Sequence, residues 1–333
     1  MIPIVYAARY RIDIGLHVFP TLKYELILAR LLETGLVQPS DVVEPQPAGW
    51  DALALVHAPD YLSKLREGTL TLEEQSLLEL PWSPGMVEGF RLMAGGTIEA
   101  ALMACGLVHD DRTEKPRNPQ KAGDHSASSA SSPLNVVCHI GGGLHHAFPG
   151  HGEGFCLFND VAVAARVLQQ RGVERIAIVD LDVHHGNGTA FIFESDPRVF
   201  TFSMHQQHNY PMFKPRGSLD VGLSDGAHDA AYLRELERAL PTVMAHRPQC
   251  VFYLAGADPY EDDQLGGLRL TKAGLRQRDR LVMGAVQQAG VPLVITLAGG
   301  YARHVEDTVA IHAATVEEAI WHGRVEPTTQ AQA

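Results

Sequence analysis

The sequence predicts an α/β protein in three layers, a central and mainly parallel sheet between two layers of helices, and three observations carry that expectation. Five short runs are near-continuously apolar or β-branched, as strands buried on both faces of a parallel sheet are. Helical patterns alternate with them, the order that a parallel sheet with crossover helices produces. The composition, 45% hydrophobic and 20% charged over 333 residues, suits a large core and excludes a disordered or fibrous chain.

The strands are expected at 135–139 (NVVCH), 175–183 (RIAIVDLDV), 199–204 (VFTFSM), 249–256 (QCVFYLAG) and 291–298 (VPLVITLA). Helices are expected at 160–171, 227–246, 272–289 and 304–321. The chain before residue 106 reads as mainly helical, at 23–34, 59–65, 72–79 and 85–107. No Pro/Gly-rich linker divides that part from the strands, so residues 1–324 are expected to form one domain. Residues 110–133 (DDRTEKPRNPQKAGDHSASSASSP) are polar and Ser/Ala-rich. Such a composition does not offset its own ordering entropy, and a surface insertion is expected from about residue 108 to 133. Residues 325–333 read as a flexible tail.

The formal net charge of −12 argues against a nucleic-acid binder, which shows a basic face, and suits a cationic partner. Cys105, Cys138, Cys156 and Cys250 have no CxxC spacing and read as reduced core residues. No apolar stretch is long enough for a membrane span, and the first residues lack a signal-peptide layout. A cytoplasmic protein without membrane contact is expected. Oligomeric state is open.

Chemistry concentrates at the ends of the expected strands, where open parallel sheets bind ligands. In 180–189 (DLDVHHGNGT), extended backbone points Asp180, Asp182 and His184 to one side. Carboxylate and imidazole suit a divalent metal, and a catalytic zinc keeps three protein ligands plus an open position. Asp258 in 255–259 (AGADP) is the candidate third ligand from a second strand end. An isolated Asp at such a place would read as a turn or cap residue; the combination does not. In 141–147 (GGGLHHA), His145 and His146 are candidates to move protons at that site, their tautomers held by partners such as Asp180 and Asn187. Tyr301, after two glycines in 298–301 (AGGY), could stabilise an oxyanion. Phe155 in 154–159 (GFCLFN) could line an apolar channel, although a core aromatic explains it equally well.

GGGLHHA, GEGFCLFNDVAVA, VDLDVHHGNGT, AGADPYEDDQLGGL and AGGYAR resemble blocks of the histone deacetylase family in the family's order, from about residue 135 to 303. HVFPTLK, LVHAPDYL and AGGTIEAA extend the resemblance towards the N-terminus. Within the family the chain is similar to the class IV-like branch with many bacterial members. The resemblance implies the arginase/deacetylase fold and zinc-dependent hydrolysis of an Nε-acyl-lysine amide. It places the zinc ligands on Asp182, His184 and Asp258, the histidine pair on His145 and His146, the transition-state tyrosine on Tyr301, and the supporting groups on Asp180 and Asn187. Asn187 is Asp in the class I branch, so His146 is expected to lack a carboxylate partner. A structural potassium site would use Asp180, Asp182, His184, Ser203 and the Met204 backbone. Gly154, Phe155 and Tyr210 resemble walls of an acyl-lysine tunnel.

Two departures stand out. The rim aspartate of several class I members has no match in 79–83 (ELPWS), and the insertion after Leu107 is longer than the family pattern. Fe(II) would also suit an Asp/His/Asp site, since no thiolate is present to discriminate. Three alternatives compete with a lysine deacylase. An acetylpolyamine amidohydrolase would use the same site on an acylated polyamine. A di-manganese ureohydrolase needs more bridging carboxylates than this chain supplies. An inactive binding module predicts a missing ligand or tyrosine, whereas all six groups are present.

Overall fold

The computed structural model describes residues 2–107 and 135–324; the expected insertion and tail lie outside the described residues. Among the described residues eight strands form the sheet: β1 (Ile4–Val5), β2 (Val42–Val43), β3 (Val136–His139), β4 (Ile176–Asp180), β5 (Val199–Gln206), β6 (Leu219–Leu223), β7 (Cys250–Leu254) and β8 (Leu293–Thr296). Their order is β2-β1-β3-β8-β7-β4-β5-β6, and every neighbouring pair is parallel. The helices are α1 (Lys23–Glu33), α2 (Trp50–Leu53), α3 (Pro59–Glu67), α4 (Leu72–Leu78), α5 (Pro84–Ala104), α6 (Asp160–Gln170), α7 (Asn187–Phe193), α8 (Asp229–Ala245), α9 (Lys272–Ala289) and α10 (Val305–Arg324).

The central strands read as continuous apolar runs because both faces are covered. Ile176 and Ile178 of β4, Phe252 of β7 and Val294 of β8 pack in one cluster with α6. The alternate residues Ala177, Val179, Val251, Tyr253, Leu293 and Ile295 pack in another with α8, α9 and α10. Period-two alternation thus divides one apolar run between two cores.

The five expected strands are present, and three more correct the sequence reading. β1 and β2 add two edge-side strands to a region expected to be mainly helical; at two residues each they carry no periodicity to detect. β6 is the opposite edge, where exposed Asp220 breaks the apolar run. Two of the longer helices start on a side-chain cap: Ser83 accepts a hydrogen bond from Met86 N at 3.0 Å ahead of α5, and Asn159 accepts one from Ala162 N at 3.0 Å ahead of α6. Among the described residues no helix is long and apolar enough to cross a membrane. Cys138, Cys156 and Cys250 are buried, Cys105 is half-buried, and all four are free thiols.

Candidate active site

Four neighbouring strands, β3, β8, β7 and β4, end on one side of the sheet, and the loops that leave them build the site. β4 stops at Asp180 and the chain runs on through Asp182 and His184. β7 leads to Asp258, β8 to Gly299 and Tyr301, and β3 to His145 and His146. The β3 loop turns through Gly141, Gly142 and Gly143, all at positive φ. A Cβ on Gly142 would lie 2.4 Å from Asp160 Oδ2, so the close approach needs glycine.

Asp182, His184 and Asp258 converge: one ligand atom from each lies within 4.8 Å of the others, and all three residues are buried. His184 Nδ1 is 3.0 Å from Asp182 Oδ1 and 3.5 Å from Asp258 Oδ2. Backbone amides fix the other oxygens: Val183 N donates to Asp258 Oδ1 at 2.9 Å and Gly299 N to Asp182 Oδ2 at 2.9 Å. Asp258 Oδ2 is buried without a hydrogen-bond partner. A Cβ on Gly299 would stand 1.9 Å from that oxygen, so the glycine keeps open the space into which the three ligand atoms point.

Burial penalises charge on each of these groups, and their contacts decide the direction. His145 and His184 hold Asp182 well below the usual carboxylate range. Asp182 and Asp258 outweigh burial and push His184 up to about 10. Burial and then Asp182 push Asp258 up to about 7. Two buried carboxylates around one imidazole, with one oxygen unpaired, have the donor set and the charge that a divalent cation satisfies.

The two adjacent histidines differ in their support. His145 Nδ1 donates to Asp180 Oδ2 at 2.7 Å, and its Nε2 lies 3.7 Å from Asp182 Oδ1. Burial lowers its pKa, but Asp180 and Asp182 prevail and raise it to about 9. His146 Nδ1 donates to Asn187 Oδ1 at 2.7 Å. Burial, His145 and His184 drive its pKa well below the ordinary value. His146 thus has an amide and no carboxylate as its direct partner, as expected; a carboxylate stands one step further out, where Asn187 Nδ2 donates to Glu153 Oε1 at 2.8 Å.

A cavity of about 210 Å³ is lined by Phe155, Tyr210, Leu265, Glu79 and Asn209 together with His146, His184 and Tyr301, and these last three also line a smaller cavity of about 30 Å³ with His145 and Asp182. Gly154 is also in the lining, and its φ of +52° places it in the left-handed region. A Cβ there would press on His146 and Tyr210, at 2.8 and 2.9 Å. Burial raises the Tyr301 phenol pKa well above its usual value, so its hydroxyl remains a donor. Asp180 and Ser203 sit opposite each other in the β4–β5 register, with Met204 next along β5. The Ser203 hydroxyl is 3.0 Å from His205 Nδ1.

Several groups escaped the sequence reading. Lys23 is fully buried, donates to Ala298 O at 2.8 Å, and has its Nζ 5.6 Å from the Tyr301 ring centre. Burial lowers its pKa to about 8. Asp263 accepts from Tyr301 N at 2.7 Å and anchors that loop. Asp160 accepts from Gly143 N and Leu144 N at 3.0 and 2.7 Å, just before the histidine pair. HVFPTLK contains Lys23, GEGFCLFNDVAVA both Glu153 and Asp160, and AGADPYEDDQLGGL Asp263, but no local pattern marks which member matters.

Residues 17–316 match the family model of the histone deacetylase domain. The chain belongs to the histone deacetylase family. It is 43% identical to an uncharacterised protein of Picosynechococcus sp. over 93% of this chain and 95% of that one. It is 28% identical to histone deacetylase 2 of Arabidopsis thaliana over 92% of this chain and 78% of that protein. The crystal structure of an HDAC homologue from Aquifex aeolicus superposes with a TM-score of 0.77 at 22% identity, covering 96% of this chain and 84% of that chain. The sheet and its flanking helices are accordingly the arginase/deacetylase fold, and the family makes the chain a deacetylase-type hydrolase.

Proposed function

We propose that this histone deacetylase-family hydrolase is a zinc-dependent deacylase that cleaves an Nε-acyl-lysine amide. The observation that carries the reading is the meeting of Asp182, His184 and Asp258 beside His145, His146 and Tyr301, where Asp182, His184, both histidines and Tyr301 line one small cavity of about 30 Å³ and His146, His184 and Tyr301 also line the larger one walled by Phe155 and Tyr210. Asp182, His184 and Asp258 would hold the metal, which supplies Lewis-acid polarisation of the amide carbonyl and a lowered pKa for water. Phe155 and Tyr210 would grip a long, thin side chain and exclude bulk solvent. Each histidine keeps its Nδ1 proton on a partner, Asp180 or Asn187, which leaves Nε2 for proton transfer. One would take the proton of the attacking water and the other would deliver a proton to the departing lysine nitrogen. The Tyr301 hydroxyl, kept protonated by burial, would donate to the developing oxyanion. The net charge of −12 would steer a cationic peptide towards the site.

The test is turnover of the zinc-loaded protein on an acetyl-lysine peptide, a long-chain acyl-lysine peptide and an acetylated polyamine, with Tyr301→Phe in parallel. The expected result is hydrolysis of an acyl-lysine peptide that falls on the order of 10²- to 10³-fold in the variant. Preference for the polyamine would move the assignment to an acetylpolyamine amidohydrolase, and full activity of Tyr301→Phe would remove the tyrosine's role.

A further inference from the structure

His145 and His146 face different partners, and the difference exposes a requirement. Asp180 is a carboxylate and only accepts, so His145 Nδ1 must carry the proton whichever oxygen it meets. Asn187 has a donor end and an acceptor end of nearly the same shape. Turned one way it fixes a proton on His146 Nδ1; turned the other way it fixes the proton on Nε2 and disables the nitrogen that faces the substrate.

We propose that Glu153 is a positioning residue that settles this choice: its carboxylate fixes the orientation of the Asn187 amide, and Asn187 thereby fixes the tautomer of His146. Glu153 Oε1 accepts from Asn187 Nδ2 at 2.8 Å. Because a carboxylate offers no proton, the amide must present its NH₂ there and its oxygen to His146 Nδ1, 2.7 Å away. That oxygen only accepts, so Nδ1 holds the proton and Nε2 keeps its lone pair. Tyr210 Oη donates to the same Glu153 oxygen at 2.8 Å, and His151 Nε2 lies 3.4 Å from the other. Burial works against the charge on Glu153, but the hydrogen bonds from His151, Tyr210 and Asn187 hold its pKa below the ordinary carboxylate value.

The local backbone is built to put Glu153 there. Glu153 and Cys156 exchange backbone hydrogen bonds of 3.2 and 2.9 Å across a tight turn, and Gly154 N and Phe155 N donate to Leu77 O and Leu78 O at 3.2 and 3.0 Å. Gly154 and Phe155 both sit at positive φ, +52° and +65°, a costly conformation for the phenylalanine. The same turn sets Phe155 in the cavity wall and Glu153 behind it, where it is not part of the lining. Glu153 therefore acts through Asn187 and not on the substrate.

The inference rests on the reading that His146 moves a proton, and its test separates the two. In the zinc-loaded protein, Glu153→Gln is expected to lower kcat about tenfold or more with KM little changed, the range of losses for groups that orient active-site ligands. Asn187→Asp alone sets a second carboxylate against Glu153 and is expected to be impaired as well. The double variant Glu153→Gln/Asn187→Asp is expected to recover towards wild type, since Asp at 187 needs no orientation and Gln at 153 can donate to it. A merely structural Glu153 gives no such rescue. The imidazole ¹⁵N shifts of His146 supply a readout without substrate: a single Nδ1–H tautomer in the wild type, a mixture in Glu153→Gln. Unchanged ¹⁵N shifts together with unchanged kcat, or a double variant no better than the worse single one, would overturn the inference. Absence of acyl-lysine turnover in the wild type would sink the proposed function alone, and the ¹⁵N comparison would still decide the role of Glu153.

Discussion

Two buried polar clusters lie back to back at the ends of β4 and β7, and only one of them is closed. Behind the strands, Arg278 donates Nε and Nη2 to Asp279 Oδ1 at 3.0 and 2.8 Å and Nη1 to Gly256 O. Asp279 also accepts from Tyr253 Oη at 2.5 Å and Thr315 Oγ1 at 2.6 Å. In front, Asp182, His184 and Asp258 leave Asp258 Oδ2 without a partner. A fully satisfied buried network rigidifies its surroundings, whereas an unsatisfied one is retained at a cost that a ligand relieves. The first cluster pins the backbone just ahead of the metal-ligand candidates; the second is the candidate metal site.

The largest expected effect comes from the open cluster. Asp258→Asn keeps an acceptor for Val183 N but removes one ligand charge, and zinc content and turnover should both collapse. Loss of a catalytic metal's several kcal/mol corresponds to a fall on the order of 10³-fold or more. The same change relieves repulsion between two buried carboxylates, so the melting temperature of the metal-free protein should hold steady or rise. A marked drop in that temperature would mean that Asp258 serves the frame, and the contrast would fail.

The closed cluster should behave in the opposite way. Asp279→Ala leaves the Arg278 guanidinium buried and unpaired, a change that costs about 3–5 kcal/mol. Urea unfolding should show that loss as a lower midpoint. Zinc bound per folded molecule should stay near that of the wild type. If stability survives and zinc is lost, Arg278 and Asp279 belong to the site after all.

The same contrast explains what the sequence made legible. β3, β4, β5, β7 and β8 announce themselves because covered faces demand unbroken apolar runs. β1 and β2 are held by register to their neighbours, Ile4 beside Cys138 and Val42, and two residues cannot show a period. Asp182, His184, Asp258, His145, His146 and Tyr301 stand in short segments at strand ends, so residue type and position together point to chemistry. Lys23 reads locally as one more surface charge at the start of a helix. Its meaning lies with Ala298 across the fold, just as that of Arg278 lies with Gly256 and Leu181. Glu153 is likewise an ordinary acidic turn residue until Asn187 and Tyr210 are brought to it.

A smaller effect tests whether closed clusters really hold their protons. His57 is buried with both ring nitrogens committed: Nδ1 is 3.0 Å from Phe148 O, to which it donates, and Nε2 accepts from Asn159 N at 3.1 Å. A second proton would set an N–H against that amide. Burial accordingly lowers its pKa to about 4, against an unfolded value of about 6.5. Below pH 6.5 the unfolded chain takes up a proton that the folded one refuses, so this stabilisation is complete above pH 6.5 and is lost as pH falls towards 4. Between pH 7.5 and 5.5 the loss should be about 1.4 kcal/mol from this residue. Replacing it by a side chain that does not titrate, His57→Gln, lowers stability at both pH values. It should also shrink the difference between them by that amount in urea unfolding under one metal condition. An unchanged difference would mean that folded His57 accepts the proton, and that the packing around Phe148 and Asn159 yields where the hydrogen bonds say it is fixed.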